Sequence, residues 1–113
     1  MTVIWHNPRC TKSRETLALL EARGITPEVR RYLDDPPTLD ELKAAREALG
    51  LPAEQMIRRK EALFKELNLA GADEEALLAA MAEHPKLIER PVVFQNGRAA
   101  LGRPPEEVLR LFD

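Results

Sequence analysis

The sequence predicts a mixed α/β fold in which a helical block interrupts a small sheet. Three observations indicate it: a strand, loop, helix and strand at the start, a central stretch with helical spacing only, and two closing strands followed by a helix. A strand-helix-strand opening implies that its two strands pair in parallel. The expected order is therefore βαβ, ααα, ββα.

The first third of the chain carries the opening strand, helix and strand. Residues 2–5 are mainly β-branched or aromatic, which predicts a buried strand. Apolar positions then predict a helix from position 12 or 13 to a C-capping glycine, Gly24. Residues 27–33 alternate apolar and charged side chains, as in a second strand.

The central stretch, residues 38–84, is predicted to be helical. Thr38 and Glu41 have the spacing of a capping box, and Gly50 ends that helix. Apolar residues then recur at helical spacing until Gly71 and Pro85 interrupt them, which predicts two or three further short helices. We expect one domain over residues 1–113, with this block inserted between its two halves.

Strand character returns after Pro91, where Asn96-Gly97 is a strong hairpin signal. A proline-led helix follows, and the resulting order is that of a thioredoxin-like, glutaredoxin-like fold. Because proline in an interior strand removes a ladder hydrogen bond, Pro91 is expected at a strand start. The sequence leaves open whether the Arg90-Pro91 bond is cis.

Composition narrows the class of protein. The formal net charge of -2 gives no general case for binding nucleic acid or an anionic membrane. No apolar run approaches the roughly 20 residues of a membrane helix, and no signal-peptide pattern precedes the first strand, so we expect a cytoplasmic protein. A single cysteine excludes an intramolecular disulfide, and with two distant histidines it predicts no metal site.

The single cysteine, Cys10, stands just after the first strand, where a helix begins among cationic side chains. A helix N-terminus usually contributes only about 0.3–1 kcal/mol to an anion, so strong activation of the thiol also needs a nearby cation. The local candidates are His6, Arg9, Lys12 and Arg14. The plainer alternative is a small buried apolar side chain.

The residues after Cys10 indicate the kind of chemistry. Their backbone N–H groups would form a nest for an oxyanion, which makes Thr11 and Lys12 candidate substrate-binding residues. Ser13 stands where a C-x-x-C site has its second thiol, so an external thiol must complete a redox cycle. The Ser13 hydroxyl either donates to the thiolate or caps the helix. Arg14 opposes the helix dipole, which favours a functional role.

The stretch HNPRCTKSRETL resembles the active-site loop of the ArsC-type arsenate reductases, which are coupled to glutathione and glutaredoxin and have the pattern H-N-P-x-C-x-x-S-R. Nearly the whole chain is similar to this family, through YLDDPPTLDELKAAREALG, MIRRKEALFKELNL, HPKLIERPVV and LGRPPEEVL. Thr11 and Lys12 replace the glycine and threonine of the best-known members. The chain therefore resembles a shorter, ArsC-like branch.

The resemblance implies a reaction and a set of residues. Cys10 would attack arsenate and form a covalent arsenic adduct, which glutathione and a glutaredoxin-like protein would resolve to release arsenite. Glutathione would be a co-substrate, with no bound cofactor. His6 would lower the pKa of Cys10 or position nearby groups. Arginine forks suit a tetrahedral oxyanion. The three arginines that the resemblance implies are Arg58, Arg90 and Arg103, and Arg59 is the alternative to Arg58.

Two other classes of function stay open. A glutathione-linked thiol-disulfide reductase would use the same activated cysteine but has less need of three arginines. A non-enzymatic regulator of the Spx type shares the fold, but its redox switch uses a C-x-x-C pair, which Ser13 interrupts. The C-x5-R loop of the cysteine phosphatases is absent, because Thr16 occupies the arginine position.

Overall fold

The computed structural model describes residues 1–113. The strands are β1 (Thr2–Trp5), β2 (Glu28–Arg30), β3 (Val92–Gln95) and β4 (Arg98–Leu101), and the helices are α1 (Thr11–Ala22), α2 (Leu39–Leu49), α3 (Ala62–Glu66) and α4 (Glu74–Glu83). Two short 3-10 segments cover Ala53–Gln55 and Pro85–Leu87, and a longer 3-10 helix covers Pro105–Phe112. The predicted α/β fold class is confirmed.

The chain divides into two compact units. The first contains residues 1–35 and 90–113, with all four strands, α1 and the last 3-10 helix. The second contains residues 36–89, with the other three α-helices. The predicted insertion of residues 38–84 falls within this second unit. The single-domain organisation itself stays a prediction.

The sheet of the first unit has the strand order β2-β1-β3-β4. As predicted, β1 and β2 are parallel, while β3 pairs antiparallel with both β1 and β4. Asn96 and Gly97 join β3 to β4 with φ angles of 52° and 77°, the positive values that favour this dipeptide in two-residue hairpins. The register places Trp5, the last residue of β1, opposite Val92, the first residue of β3.

The core of the first unit lies where α1 and the last 3-10 helix contact the sheet. Its buried members are Ile4, Leu20, Val93, Ala100, Val108 and Leu111. The last helix is a 3-10 helix, and its buried residues are Pro105, Val108 and Leu111. These positions are three apart, so a helix with three residues per turn places them on one face.

Two elements differ in extent from their predictions. The second strand is limited to β2, an edge strand in which Val29 is 44% exposed. Leu33 lies in the turn after β2 and is 41% exposed, while Tyr32 is buried. Helix α1 begins at Thr11, one residue before the earliest predicted start, and Gly24 follows it with a φ of 78°. The predicted glycine at the helix end is thus confirmed.

Local capping explains where α2 begins and ends in the second unit. Thr38 Oγ1 accepts a hydrogen bond from the Glu41 N–H at 3.1 Å, and Glu41 Oε1 accepts one from the Thr38 N–H at 2.9 Å. Gly50 ends the helix in the left-handed conformation, with a φ of 67°. The capping box and the terminal glycine predicted from the sequence are both confirmed.

We predict that Gly102→Ala destabilises the protein. A Cβ at this buried position would fall on Thr16 Oγ1 and lie 2.7 Å from Pro91 Cγ. Overpacking of this kind costs about 1–3 kcal/mol of unfolding free energy, which urea denaturation measures. Adding Thr16→Ala removes one of the two clashes, so the double variant should lose less than the sum of the single effects. Strictly additive losses would contradict this explanation.

Candidate active site

Cys10 is the N-cap of α1 and has a relative exposure of 9%. The loop before it is shaped by Asn7, whose backbone oxygen accepts from the Cys10 N–H and whose Oδ1 accepts from the Arg9 N–H, each at 3.0 Å. The thiol makes no capping hydrogen bond to the helix. It nevertheless stands at a helix end whose free N–H groups favour an anion.

The pKa of the Cys10 thiol lies below its ordinary value. Burial raises this pKa, but the backbone N–H of Ser13, the charge of Arg90, the backbone N–H of Lys12 and a hydrogen bond from Arg90 together outweigh it. The cation required for activation is therefore Arg90. This corrects the prediction that a local cation, from His6, Arg9, Lys12 or Arg14, lowers the pKa.

The sheet register explains how Arg90 reaches the thiol. Because β1 and β3 are antiparallel with Trp5 opposite Val92, the residues before β3 run alongside the loop that follows β1. Arg90 lies two positions before Val92, and the Arg90-Pro91 bond is cis. The sequence motifs predict Arg90 as an oxyanion ligand but do not predict its action on the thiol. The hairpin and the strand pairing were the available signals.

His6 is buried, and its Nδ1 lies 2.6 Å from Ser13 Oγ. Burial lowers the pKa of His6, and the positive charges of Arg31 and Arg14 lower it further. A lowered pKa favours the neutral imidazole, so His6 is not suited to bring a positive charge to Cys10. The contact with Ser13 instead supports the other predicted role of His6, the positioning of nearby groups.

Ser13 is fully buried in the first turn of α1. Its Oγ accepts a hydrogen bond from the Asn7 N–H at 3.0 Å and also contacts His6. The predicted N-cap role of Ser13 is wrong, because α1 begins earlier and Cys10 is the N-cap. The group of Ser13 that acts on the thiol is its backbone N–H, while its hydroxyl ties the start of the loop to the helix.

Arg14 folds back over the loop, which accounts for a cation in the first helical turn. Its Nη1 donates to the Pro8 carbonyl at 2.9 Å, and its Nη2 donates to Thr11 Oγ1 at 3.3 Å. The side chains of Thr11 and Lys12 are exposed. Arg14 therefore connects the two ends of the segment that contains Cys10.

The remaining predicted arginines lie in different units. Arg103 belongs to the first unit, where its Nη1 donates to the Arg90 carbonyl at 3.1 Å. Arg58 belongs to the second unit, where its Nη1 is 3.2 Å from Glu61 Oε2. Arg59 is exposed. The first unit thus brings together eight of the predicted site residues, which are His6, Cys10, Thr11, Lys12, Ser13, Arg14, Arg90 and Arg103.

Two open clefts adjoin His6 in the first unit. The larger, of about 810 Å³, includes Leu17, Val29 and Arg31 in its lining, and the smaller, of about 320 Å³, extends along the loop to Arg9. No group of three or more histidine, cysteine, aspartate or glutamate side chains is placed to hold a metal ion. None of the helices combines the length and the apolar character that crossing a membrane requires.

Fold and site together define a thioredoxin-like α/β protein with one activated cysteine at a helix N-terminus. The cysteine has no second thiol in its own chain. The profile of the ArsC family matches residues 5–111, and the chain belongs to this family. The family resemblance predicted from the sequence motifs is confirmed.

Several relatives are similar over nearly their full length. The arsenate reductase of Neisseria meningitidis serogroup B is 56% identical over 108 residues, covering 93% of this chain and 92% of its own. The uncharacterized protein YfgD of Escherichia coli K12 is 52% identical over 111 residues, covering 96% and 93%. The solved arsenate reductase from Vibrio cholerae has a TM-score of 0.95 and 57% identity, covering 97% of this chain and 96% of that chain.

We predict that Ser13→Ala destabilises the protein by about 1–3 kcal/mol, because it leaves the Asn7 N–H and the buried His6 Nδ1 without their partner. Urea denaturation measures the unfolding free energy. Glu15→Ala, an exposed change in the same helix, is the matched control and should stay within about 0.5 kcal/mol of the wild type. Equal stabilities of the two variants would contradict this role of the hydroxyl.

We predict that Arg90→Ala raises the pKa of Cys10. Removing a cation and a hydrogen bond from the thiolate favours the protonated thiol, so the pH profile of alkylation by iodoacetamide moves to higher pH. The chain has one cysteine, so the alkylation rate reports on Cys10 alone. Arg9→Ala removes a neighbouring cation that does not set this pKa and should leave the profile in place. Identical profiles for both variants would show that Arg90 does not activate the thiol.

Proposed function

We propose that this protein is an arsenate reductase of the glutathione and glutaredoxin type. The observation that carries the proposal is the single Cys10, with a lowered pKa at the N-terminus of α1, in a member of the ArsC family. Relatives named arsenate reductase, at 46–56% identity, support arsenate as the substrate.

In the proposed reaction the Cys10 thiolate attacks the arsenic of arsenate. A sulfur-arsenic bond forms, and one oxygen leaves as water after protonation. Glutathione then bonds to arsenic through its thiol and displaces a second oxygen as water. A glutaredoxin-like protein attacks the glutathione sulfur, so that two thiols become a disulfide and their two electrons reduce As(V) to As(III). Arsenite is released after the bond to Cys10 is hydrolysed.

The proposed oxyanion ligands are arginines and the start of α1. Arg90 and Arg103 are connected by the hydrogen bond to the Arg90 carbonyl, and guanidinium forks suit the oxygens of arsenate. Thr11 and Lys12 contribute the first N–H groups of the helix. Arg58 is preferred to Arg59, because its guanidinium makes fixed contacts while Arg59 is exposed.

An external thiol is proposed because Ser13 replaces the resolving cysteine of a C-x-x-C site. Glutathione carries two carboxylates, which Arg9 and Arg31 in the clefts beside His6 are suited to bind. Reduced glutathione is abundant in the cytosol, in agreement with the cytoplasmic location predicted from the sequence. A glutathione-linked thiol-disulfide reductase is the second candidate, because the lowered pKa of Cys10 serves that reaction equally well.

The test is arsenate-dependent oxidation of NADPH with glutathione, glutaredoxin and glutathione reductase supplied. We expect turnover in the wild type that falls to the background rate in Cys10→Ser, because the serine hydroxyl is not ionised at neutral pH and cannot replace the thiolate as the nucleophile that bonds to arsenic. Arg23→Ala, an exposed change at the end of α1, is the control and should retain the rate.

A parallel assay replaces arsenate with a low-molecular-weight disulfide, omits glutaredoxin and subtracts the rate measured without the protein, because glutathione alone also reduces disulfides. Turnover with the disulfide and none with arsenate would favour the thiol-disulfide reductase. No turnover with either substrate would contradict both enzymatic proposals and favour a non-enzymatic, Spx-like role.

A further inference from the structure

The Arg58 guanidinium is held on one side by two oxygen atoms of the second unit. Its Nη1 lies 3.2 Å from Glu61 Oε2 and 3.3 Å from the Lys86 carbonyl oxygen. The contact with Lys86 is a hydrogen bond that Nη1 donates, and the contact with Glu61 is an ion pair. Nη2 and Nε form no hydrogen bond in the structure, so they make up the free edge of the fork.

The backbone under Arg58 is fixed as well. The Arg58 N–H donates to the Leu87 carbonyl at 2.7 Å, and the buried residues Ile57 and Ile88 pair in an isolated β-bridge. The Glu61 N–H donates to the Arg58 carbonyl at 3.2 Å. A fixed backbone, one hydrogen bond and one ion pair together limit the rotamers available to Arg58.

We propose that Glu61 is a positioning residue, which orients Arg58 so that its Nε and Nη2 edge binds two oxygens of an oxyanion. This inference rests on the proposed function, in which Arg58 binds arsenate. An arginine held in one rotamer loses less conformational entropy on binding than a mobile one. Glu61 therefore lowers the KM for arsenate without contacting the reacting atoms.

The opposite role for Glu61 is that of a competitor, which neutralises Arg58 and repels the anion. The surroundings favour positioning. Glu61 Oε1 is 4.0 Å from Lys86 Nζ, so a second cation also offsets its charge. Residues 58–60 are three consecutive cations, and one carboxylate leaves this segment positive. The carboxylate lies 3.2 Å from Nη1, a nitrogen that the free edge does not use.

The test compares steady-state kinetics of Glu61→Ala and Glu61→Gln in the arsenate assay. Alanine removes the ion pair with Arg58, and we expect the KM for arsenate to rise roughly three- to tenfold while kcat stays within about twofold. Glutamine keeps an oxygen that can contact Nη1 but carries no charge, and we expect it to restore the KM to within about twofold of the wild type. Rescue by glutamine separates orientation from charge.

Two further variants make the outcomes distinguishable. Glu107→Ala breaks another arginine-glutamate pair of the same sequence spacing, with Arg110, and should leave the KM unchanged. Arg58→Ala should raise the KM more than Glu61→Ala does. A raised KM in Arg58→Ala with an unchanged or lowered KM in Glu61→Ala would overturn the positioning role but leave the proposed function standing. A wild type without arsenate turnover would overturn both.

Discussion

The antiparallel pairing of β1 with β3 is the constraint on which the site depends. Cys10 is nearly buried, and burial alone would keep its thiol protonated. Helix N–H groups offset part of the effect of burial on the Cys10 pKa, and the full positive charge of Arg90 lowers this pKa further. The register of Trp5 with Val92 brings Arg90 to the thiol. A one-residue slip in this pairing would reverse the faces of β3 and move Arg90. The same register that buries Val93 in the core therefore also activates the thiol.

Local hydrogen bonds fix the loop between β1 and α1. The Ser13 hydroxyl contacts both His6 and the Asn7 N–H from inside the protein, while Arg14 reaches the Pro8 carbonyl from outside. Buried polar contacts of this kind are costly to break, because each released group would remain unsatisfied. The loop can thus hold Cys10 at the helix end although its neighbours Pro8 and Arg9 are exposed.

Sequence reasoning succeeded where the determinants are local. The capping box at Thr38, the hairpin at Asn96-Gly97 and the motif around Cys10 are each encoded within a few residues, and the structure contains all three elements. It failed where distant segments decide the outcome. Arg90 acts on a thiol far away in the chain, and the pKa of His6 is lowered by burial and by Arg31. Neither effect has a signature within a short window of sequence.

Arg90 has two roles, activation of the thiol and the proposed binding of arsenate. The two roles compete, because both anions need the positive charge of the same guanidinium. A thiolate and an arsenate anion repel each other, and a guanidinium that contacts both lowers that repulsion at the distance where the sulfur-arsenic bond forms. A lower pKa also makes a thiolate less nucleophilic, so stronger stabilisation of Cys10 alone would not give a faster attack. The five N–H donors of arginine resolve this conflict, because one can remain on sulfur while others bind arsenate oxygens. A lysine, with its single compact charge, lacks this planar fork.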